Sequence, residues 1–507
     1  MSLARAWSVG LVGVEGRLVE VEADIANGIP ALLLIGRPDS SLNEARDRIR
    51  AAISNSGETW PLKRITLALS PAWLPKSGTH YDLALAAAVL AAVGAVPVGS
   101  LEERVLLGEL GLDGRVHHVR GVLPAVVGAQ RAGMEEVVVP LADVAEASLV
   151  PGLKVTGVRD LRGLLTLLRG EPLLEETFDA DPLPEIARPD PPDLADVTGQ
   201  LIARFAMEIA AAGGHHVFLH GPPGAGKTML AERLPGLLPP LDTDAALEVT
   251  ALHSLADALP PGCPLVSRAP FRNPHHSTSV PALVGGGAGI ARPGEISLAH
   301  RGVLFLDEAP EFPSGLLDAL RQPLESGTVT ISRAGGTARY PARFTLILAS
   351  NPCPCSAPGK SDLDCTCPPA ARRRYQSKLS GPLLDRIDLR IRVESLPRAD
   401  LLTVGAGEST RVVAERVLAA RERAAHRLRG TSWRTNGDIP GQVLRRRWPP
   451  ASDGYAVIAN AVRTGTLSGR GTDRVLRVAW TIADLVGSER PGRAEVGQAV
   501  QLREIGR

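Results

Sequence analysis

The chain has 507 residues, 44% apolar and 22% charged, with a formal net charge of +1. That length exceeds what one hydrophobic core supports and predicts two or three domains, while the charge balance excludes a molecule drawn to nucleic acid by its overall field. Aromatics at 3% argue against a surface dominated by base stacking, and no apolar run reaches the roughly 18–20 residues of a membrane span.

The opening segment MSLARAWSVG lacks the apolar core and cleavage site of a secretory signal, so a cytoplasmic protein with no membrane partner is expected. From there to about residue 170, strand and helix patterns alternate. Val19, Val21, Ala23 and Ile25 alternate with Glu20, Glu22 and Asp24, the period of a half-buried strand. ALLLIGR (31–37) reads as a buried strand. SLNE (41–44) reads as a capping box ahead of a helix carrying Ala45, Ile49, Ala52 and Ile53 on one face. The apolar run Leu83–Val98 reads as a buried helix. VLLGELGLDGRVHHV (105–119) predicts a hairpin turned at Asp113-Gly114, with short strands near 135 and 153.

The segment 171–193, EPLLEETFDADPLPEIARPDPPD, is proline-rich and acidic and reads as an interdomain linker. Next comes HHVFLHGPPGAGKTML (215–230), an apolar strand, a glycine-rich turn and a helix start. Gly221, Pro222, Pro223, Gly224, Ala225 and Gly226 form a loop whose backbone N–H groups turn toward phosphate oxygens. Lys227 supplies a cation to the β- and γ-phosphates of ATP, and the Thr228 hydroxyl is a Mg²⁺ ligand. Only six lysines stand against fifty arginines, which makes this lysine at this spacing hard to attribute to chance. GVLFLDEAP (302–310) adds an apolar strand ending in two acids. Asp307 is expected beside the P-loop strand, holding Mg²⁺, and Glu308 as the general base on the attacking water. FTLILASNP (344–352) ends on Asn351, placed to sense the γ-phosphate.

Four cysteines, Cys353, Cys355, Cys365 and Cys367, fall in the insertion 353–367 as C-x-C-x₉-C-x-C. Four thiolates at short spacing suit a structural Zn²⁺, against a reduced, unliganded loop. Cys263 stands alone and reads as a packing residue. Adjacent His275 and His276 are expected to face opposite ways as packing or pore-loop residues. The hairpin TVTISRAGGTARY (328–340) carries Arg333 and Arg339, with Arg343 close behind, a pattern that by itself reads as a solvated basic edge. Beyond about 395 the pattern is helical, with RVVAERVLAARERAAHRL as a long amphipathic stretch.

Taken together, FRNPHHSTSVPALVGGG (271–287), PGEISLAHRGVLFLDE (293–308), ALRQPLESGTVTISRA (319–334), SGPLLDRIDL (380–389) and VAWTIADL (478–485) resemble magnesium-chelatase-like AAA+ ATPases of the ComM/YifB type. The resemblance spans essentially the whole chain. It implies an α/β multidomain protein: a Lon-protease-like α/β domain at 1–170, the linker at 171–193, a AAA+ P-loop NTPase core at 194–395, and a helical lid at 396–507. It further implies Arg386 as an arginine finger acting on a neighbouring subunit, Arg470 as the sensor-2 arginine with Arg474 as its alternate, and a homohexameric ring. The extra loop around 271–300 would enter the central pore, and the resemblance makes Arg333, Arg339 and Arg343 candidate DNA contacts in a basic ring around it. The Lon-like domain carries His80 where the nucleophilic Ser belongs and Leu123 where its Lys belongs, so no peptidase activity is expected. Neighbouring Lys76 and Ser77 point apart and form no substitute dyad. The expected activity is ATP hydrolysis coupled to helicase or branch-migration work on single-stranded or branched DNA, in recombination of incoming DNA. The rivals are a chelatase-type motor remodelling a protein partner and an ATP-dependent protease.

Overall fold

A computed structural model describes residues 2–36, 39–172, 192–260, 263–287, 291–333, 336–355, 367–395 and 407–503. Two sheets organise it. In the first, β1 (Ser2–Val12) and β2 (Glu15–Ala26) form a long antiparallel ribbon. They are joined by β3 (Ala31–Ile35), β4 (Arg64–Ser70), β5 (Arg104–Leu106), β8 (Glu136–Pro140) and β9 (Lys154–Val158) in the order β3-β4-β2-β1-β5-β8-β9. The alternation in β2 is as read: Val19, Val21, Ala23 and Ile25 are all buried. The turn at Asp113-Gly114 sits between β6 (Glu109–Leu110) and β7 (Val116–His117), which pair antiparallel. The helix Asp82–Ala92 is buried at every position, which its run of alanines permits because small side chains let the sheet approach on all sides.

Two local expectations need correction. The strand read as buried, β3, is the sheet's edge: its residues alternate exposed and half-buried, and Leu33 and Ile35 face solvent. An apolar run specifies a strand, but sheet order decides whether its outer face is covered. The helix Ser40–Asn55 is capped two residues earlier than the SLNE pattern suggests, by Asp39, whose carboxylate accepts from the Leu42 N–H at 2.9 Å.

The second sheet is wholly parallel. It contains β10 (Val217–His220), β11 (Phe271–Arg272), β14 (Val303–Leu306), β17 (Thr345–Ser350) and β18 (Leu389–Arg392), in the order β11-β14-β17-β10-β18. Between these run two small ribbons, β12 (Gly285–Gly286) with β13 (Arg292–Pro293), and β15 (Thr328–Arg333) with β16 (Gly336–Pro341). Both faces of the parallel sheet are covered, so β14 is buried at all four residues. The core on one face continues into the C-terminal helices: Val217, Leu219 and Leu230 share a cluster with Val413, Val475, Trp480 and Val496. The helix Thr410–Arg427, read from its amphipathic pattern, is present, and Asp193 binds its first turn, accepting from the Thr410 N–H at 2.7 Å. The rest of the linker, 173–191, lies outside the described residues.

The two sheets meet at a packed junction. Val14, in the turn between β1 and β2, packs into the core on the other face of the parallel sheet. Leu247 and Ala251, on the helix Thr243–Leu255, pack against the first domain. Arg120 pairs with Asp257 at 2.9 Å across the same contact.

Candidate functional site

At the C-terminal end of β10 the backbone turns through Gly224 and Gly226 at φ +76° and +93°, and the helix Lys227–Leu237 begins. A Cβ on either glycine would meet nothing within 4 Å, so the loop opens onto free space. Gly221 is different: a Cβ there would lie 2.0 Å from the Val393 carbonyl, so the loop's base needs glycine for packing. Gln200, which the sequence reading passed over, anchors the loop by donating to the Ala225 carbonyl at 3.2 Å.

The Lys227 ammonium is held by the carbonyls of Gly221 (2.8 Å) and Pro222 (2.9 Å) and by Asn351 Oδ1 (2.9 Å). Burial lowers its pKa, while Asp307 and Glu308 pull the other way. Thr228 Oγ1 donates to Asp307 Oδ2 at 2.8 Å. These hard oxygens converge from two elements beside an open phosphate cradle, a donor set suited to Mg²⁺ on a nucleotide. Lys227, Thr228, Asp307 and Asn351 are thus brought together, with one correction to the expected route. The strand carrying Asp307, β14, does not neighbour the P-loop strand; β17 lies between them. The strand ending at Asn351 is therefore the one that touches β10, and Asp307 reaches across it.

Glu308 sits at φ +48°, a left-handed conformation uncommon for a residue with a side chain. It turns the carboxylate away from the strand direction, half exposed and 3.8 Å from His276 Nδ1. The expectation that His275 and His276 face opposite ways fails, because they lie in a loop instead of a strand. Their rings stack at 4.0 Å, and His276 also meets Phe312 edge-on at 6.5 Å. No local pattern signals that His276 meets Glu308; only the path of the 271–300 insertion does.

The arginines divide between two places. Arg386 lies at the N-terminal edge of the parallel sheet, where Asp388 and Leu389 donate to the His216 carbonyl at 3.1 Å. The P-loop leaves the other end of β10, about 13 Å away along four residues, so Arg386 and the P-loop of one chain stand at opposite edges of the sheet. Its guanidinium donates to the Pro382 carbonyl at 2.5 Å and to Glu325. An open cavity of about 530 Å³ there is lined by Arg386, Arg343, Arg474, Glu325 and His216, among others. Arg474 is engaged, donating to buried Asp388 at 3.0 Å. Burial alone would raise the Asp388 carboxyl, but Arg474 and His215 hold it far below the usual range. Arg470 projects with its side chain 79% exposed, 3.6 Å from Asp385, so of the two it is the one free to meet another molecule. Arg333 and Arg339 stand exposed on the hairpin β15–β16, but Arg343 does not join them. It lies past the hairpin, in the Arg386 cavity.

The Sγ atoms of Cys353, Cys355 and Cys367 lie within 4.8 Å of one another just beyond Asn351. Cys365 lies outside the described residues, and Cys263 bonds the Leu265 carbonyl elsewhere. In the first domain His80 Nε2 meets the Val9 carbonyl at 3.0 Å, and burial takes its pKa down to about 4. Leu123 is fully buried, and the Lys76 amine is bound to the Pro71 carbonyl. Among the described residues no helix is long and apolar enough to cross a membrane.

Comparison with known proteins matches this arrangement along the chain. The family model described as magnesium chelatase, subunit ChlI, matches residues 193–401. Those described as subunit ChlI of Mg-chelatase and as its C-terminal part match 21–143 and 407–503. A protein of Mycobacterium tuberculosis is 55% identical over 507 residues, covering 100% of this chain and 99% of its own. YifB of Salmonella typhimurium is 42% identical, and the competence protein ComM of Haemophilus influenzae 39%, each over 509 residues with 100% of this chain and 98% of theirs covered.

Proposed function

The chain belongs to the magnesium-chelatase ChlI-like family of AAA+ ATPases, alongside YifB and ComM, and from that premise we propose that it is an ATP-driven DNA motor. It works as a homohexameric helicase or branch-migration translocase on single-stranded or branched DNA, in recombination of incoming DNA. Lys227 and the P-loop bind ATP, Thr228 and Asp307 hold Mg²⁺, and Glu308 takes the proton of the attacking water while Asn351 positions the γ-phosphate. Arg386 reaches the nucleotide of the next subunit, with Arg470 beside it as sensor 2. The thiols after Asn351 hold a structural Zn²⁺. The relative named as a competence protein supports the link to incoming DNA.

The observation that carries the motor reading is how closely one segment joins finger and hairpin. Glu325, the partner of Arg386, lies on the helix Arg321–Ser326, which leads through Gly327 into the exposed arginine hairpin β15–β16. A shift of the finger between subunits therefore moves a basic ribbon fit for a phosphate backbone. The test is steady-state ATPase rate with and without single-stranded, duplex and four-way-junction DNA. Stimulation of several-fold that weakens with salt and disappears in Glu308→Gln is expected. A rate indifferent to every DNA would discard the DNA role and favour the protein-remodelling work that the chelatase family models suggest.

A further inference from the structure

Beyond a purely structural zinc, and resting on that zinc reading, we propose that metal held by Cys353, Cys355 and Cys367 is a clasp on Asn351, so that ATP turnover depends on the metal-loaded state. The three thiols lie close enough to share one metal ion. The three Sγ atoms all lie within 4.8 Å of one another, and Cys353 and Cys355 approach to 3.0 Å. A tetrahedral zinc with bonds of about 2.3 Å places its sulfur ligands about 3.8 Å apart, inside that spread. No disulfide joins them. Soft thiolates select zinc over the hard Mg²⁺ that the nucleotide brings. Cys353 is buried while Cys355 is exposed, so the site opens to solvent on one side and metal can enter and leave.

Its position gives the metal a task. Cys353 and Cys355 follow Asn351 directly along the chain, whereas Cys367 precedes the helix Pro369–Ser377. That helix folds back on the strand end. Tyr375, 5% exposed, hydrogen-bonds the Asn351 backbone, and Gln376 Nε2 donates to the Pro352 carbonyl at 3.4 Å. Asn351 in turn accepts from the Lys227 ammonium. A metal joining the two segments therefore closes a ring of contacts around the residue that meets the γ-phosphate. Thiols alone are weak hydrogen-bonding groups and cannot supply that closure. Tyr375 and Gln376 already tie the strand end to the helix, the metal adds a stiffer link, and a displacement near 1 Å at a catalytic group can cost roughly 10²-fold in rate.

The experiment uses the full chain, purified reduced and without chelator. Elemental analysis is expected to find close to one zinc per chain, lost in Cys353→Ser and in Cys367→Ser. Replacement by Co²⁺ is expected to give the thiolate-to-metal charge-transfer absorption of a sulfur-ligated ion. The zinc is then stripped, the chelator removed, and turnover compared with affinity for a fluorescent ATP analogue. The clasp requires turnover to fall at least about tenfold while analogue affinity stays within about threefold, with recovery on adding Zn²⁺ and none on adding further Mg²⁺. Absence of zinc from the wild-type chain, or of the Co²⁺ signature, overturns the zinc reading itself. Zinc that is present but can be removed from a chain still folded by circular dichroism, with turnover unchanged, overturns the clasp and leaves a structural metal.

Discussion

At the scale of single residues, the site depends on a few side chains held under constraint. Glu308 is the clearest, because its φ of +48° is maintained against an intrinsic preference while its carboxylate stands 3.8 Å from His276 Nδ1. Glu308→Gln keeps the size and removes the proposed base, so turnover should fall by roughly 10²-fold or more with nucleotide affinity nearly unchanged. Turnover within about twofold of wild type would place the base elsewhere. Lys227, Thr228 and Asn351 were legible in the sequence because each sits within a few residues of a strand end, where local spacing dictates its neighbourhood. His276 and Gln200 were not, since each meets the site only through the route of a distant loop.

Among the elements, sequence pattern named the strands but could not order them. The apolar runs of β3 and β14 look alike on paper, yet one is an exposed edge and the other is buried on both faces. The same limit misplaced Asp307 beside β10, where β17 stands instead. One element contact has a pH consequence. At the start of β10, His216 Nδ1 accepts the Leu346 N–H of β17 at 3.0 Å, so that nitrogen must carry no proton, and burial takes the ring's pKa from 6.5 down to about 4. Between those values the unfolded chain binds a proton that the folded chain refuses, so stability falls as pH drops through this window and is flat above it. His80 in the first domain acts with the same sign. His216→Asn offers an amide oxygen that does not titrate, so melting temperatures from pH 8 to 5 should decline less steeply than in wild type. Identical slopes would mean that His216 is not held neutral by this contact.

For the whole molecule, the decisive geometry is the separation of two functions to opposite edges of one sheet. The P-loop leaves the C-terminal end of β10 while Arg386 and Arg470 stand at the N-terminal edge, so under the proposed roles one chain carries both halves of a catalytic interface turned away from each other. The proposed ring would resolve this, each subunit's arginines meeting the next subunit's nucleotide. The consequence can be tested by mixing. Lys227→Ala removes nucleotide use but leaves Arg386, whereas Arg386→Ala leaves the nucleotide site but removes the finger, and each alone should turn over ATP far below wild type. In mixed rings, an Arg386→Ala subunit beside a Lys227→Ala subunit regains a complete interface. With equal parts randomly assembled, about a quarter of the interfaces are complete, which sets the ceiling for recovery. Recovered turnover toward that level requires the finger to act between chains. Mixed rings as inactive as either parent would place Arg386 outside the neighbouring site, because a residue acting only within its own chain gains nothing from a partner that still carries it.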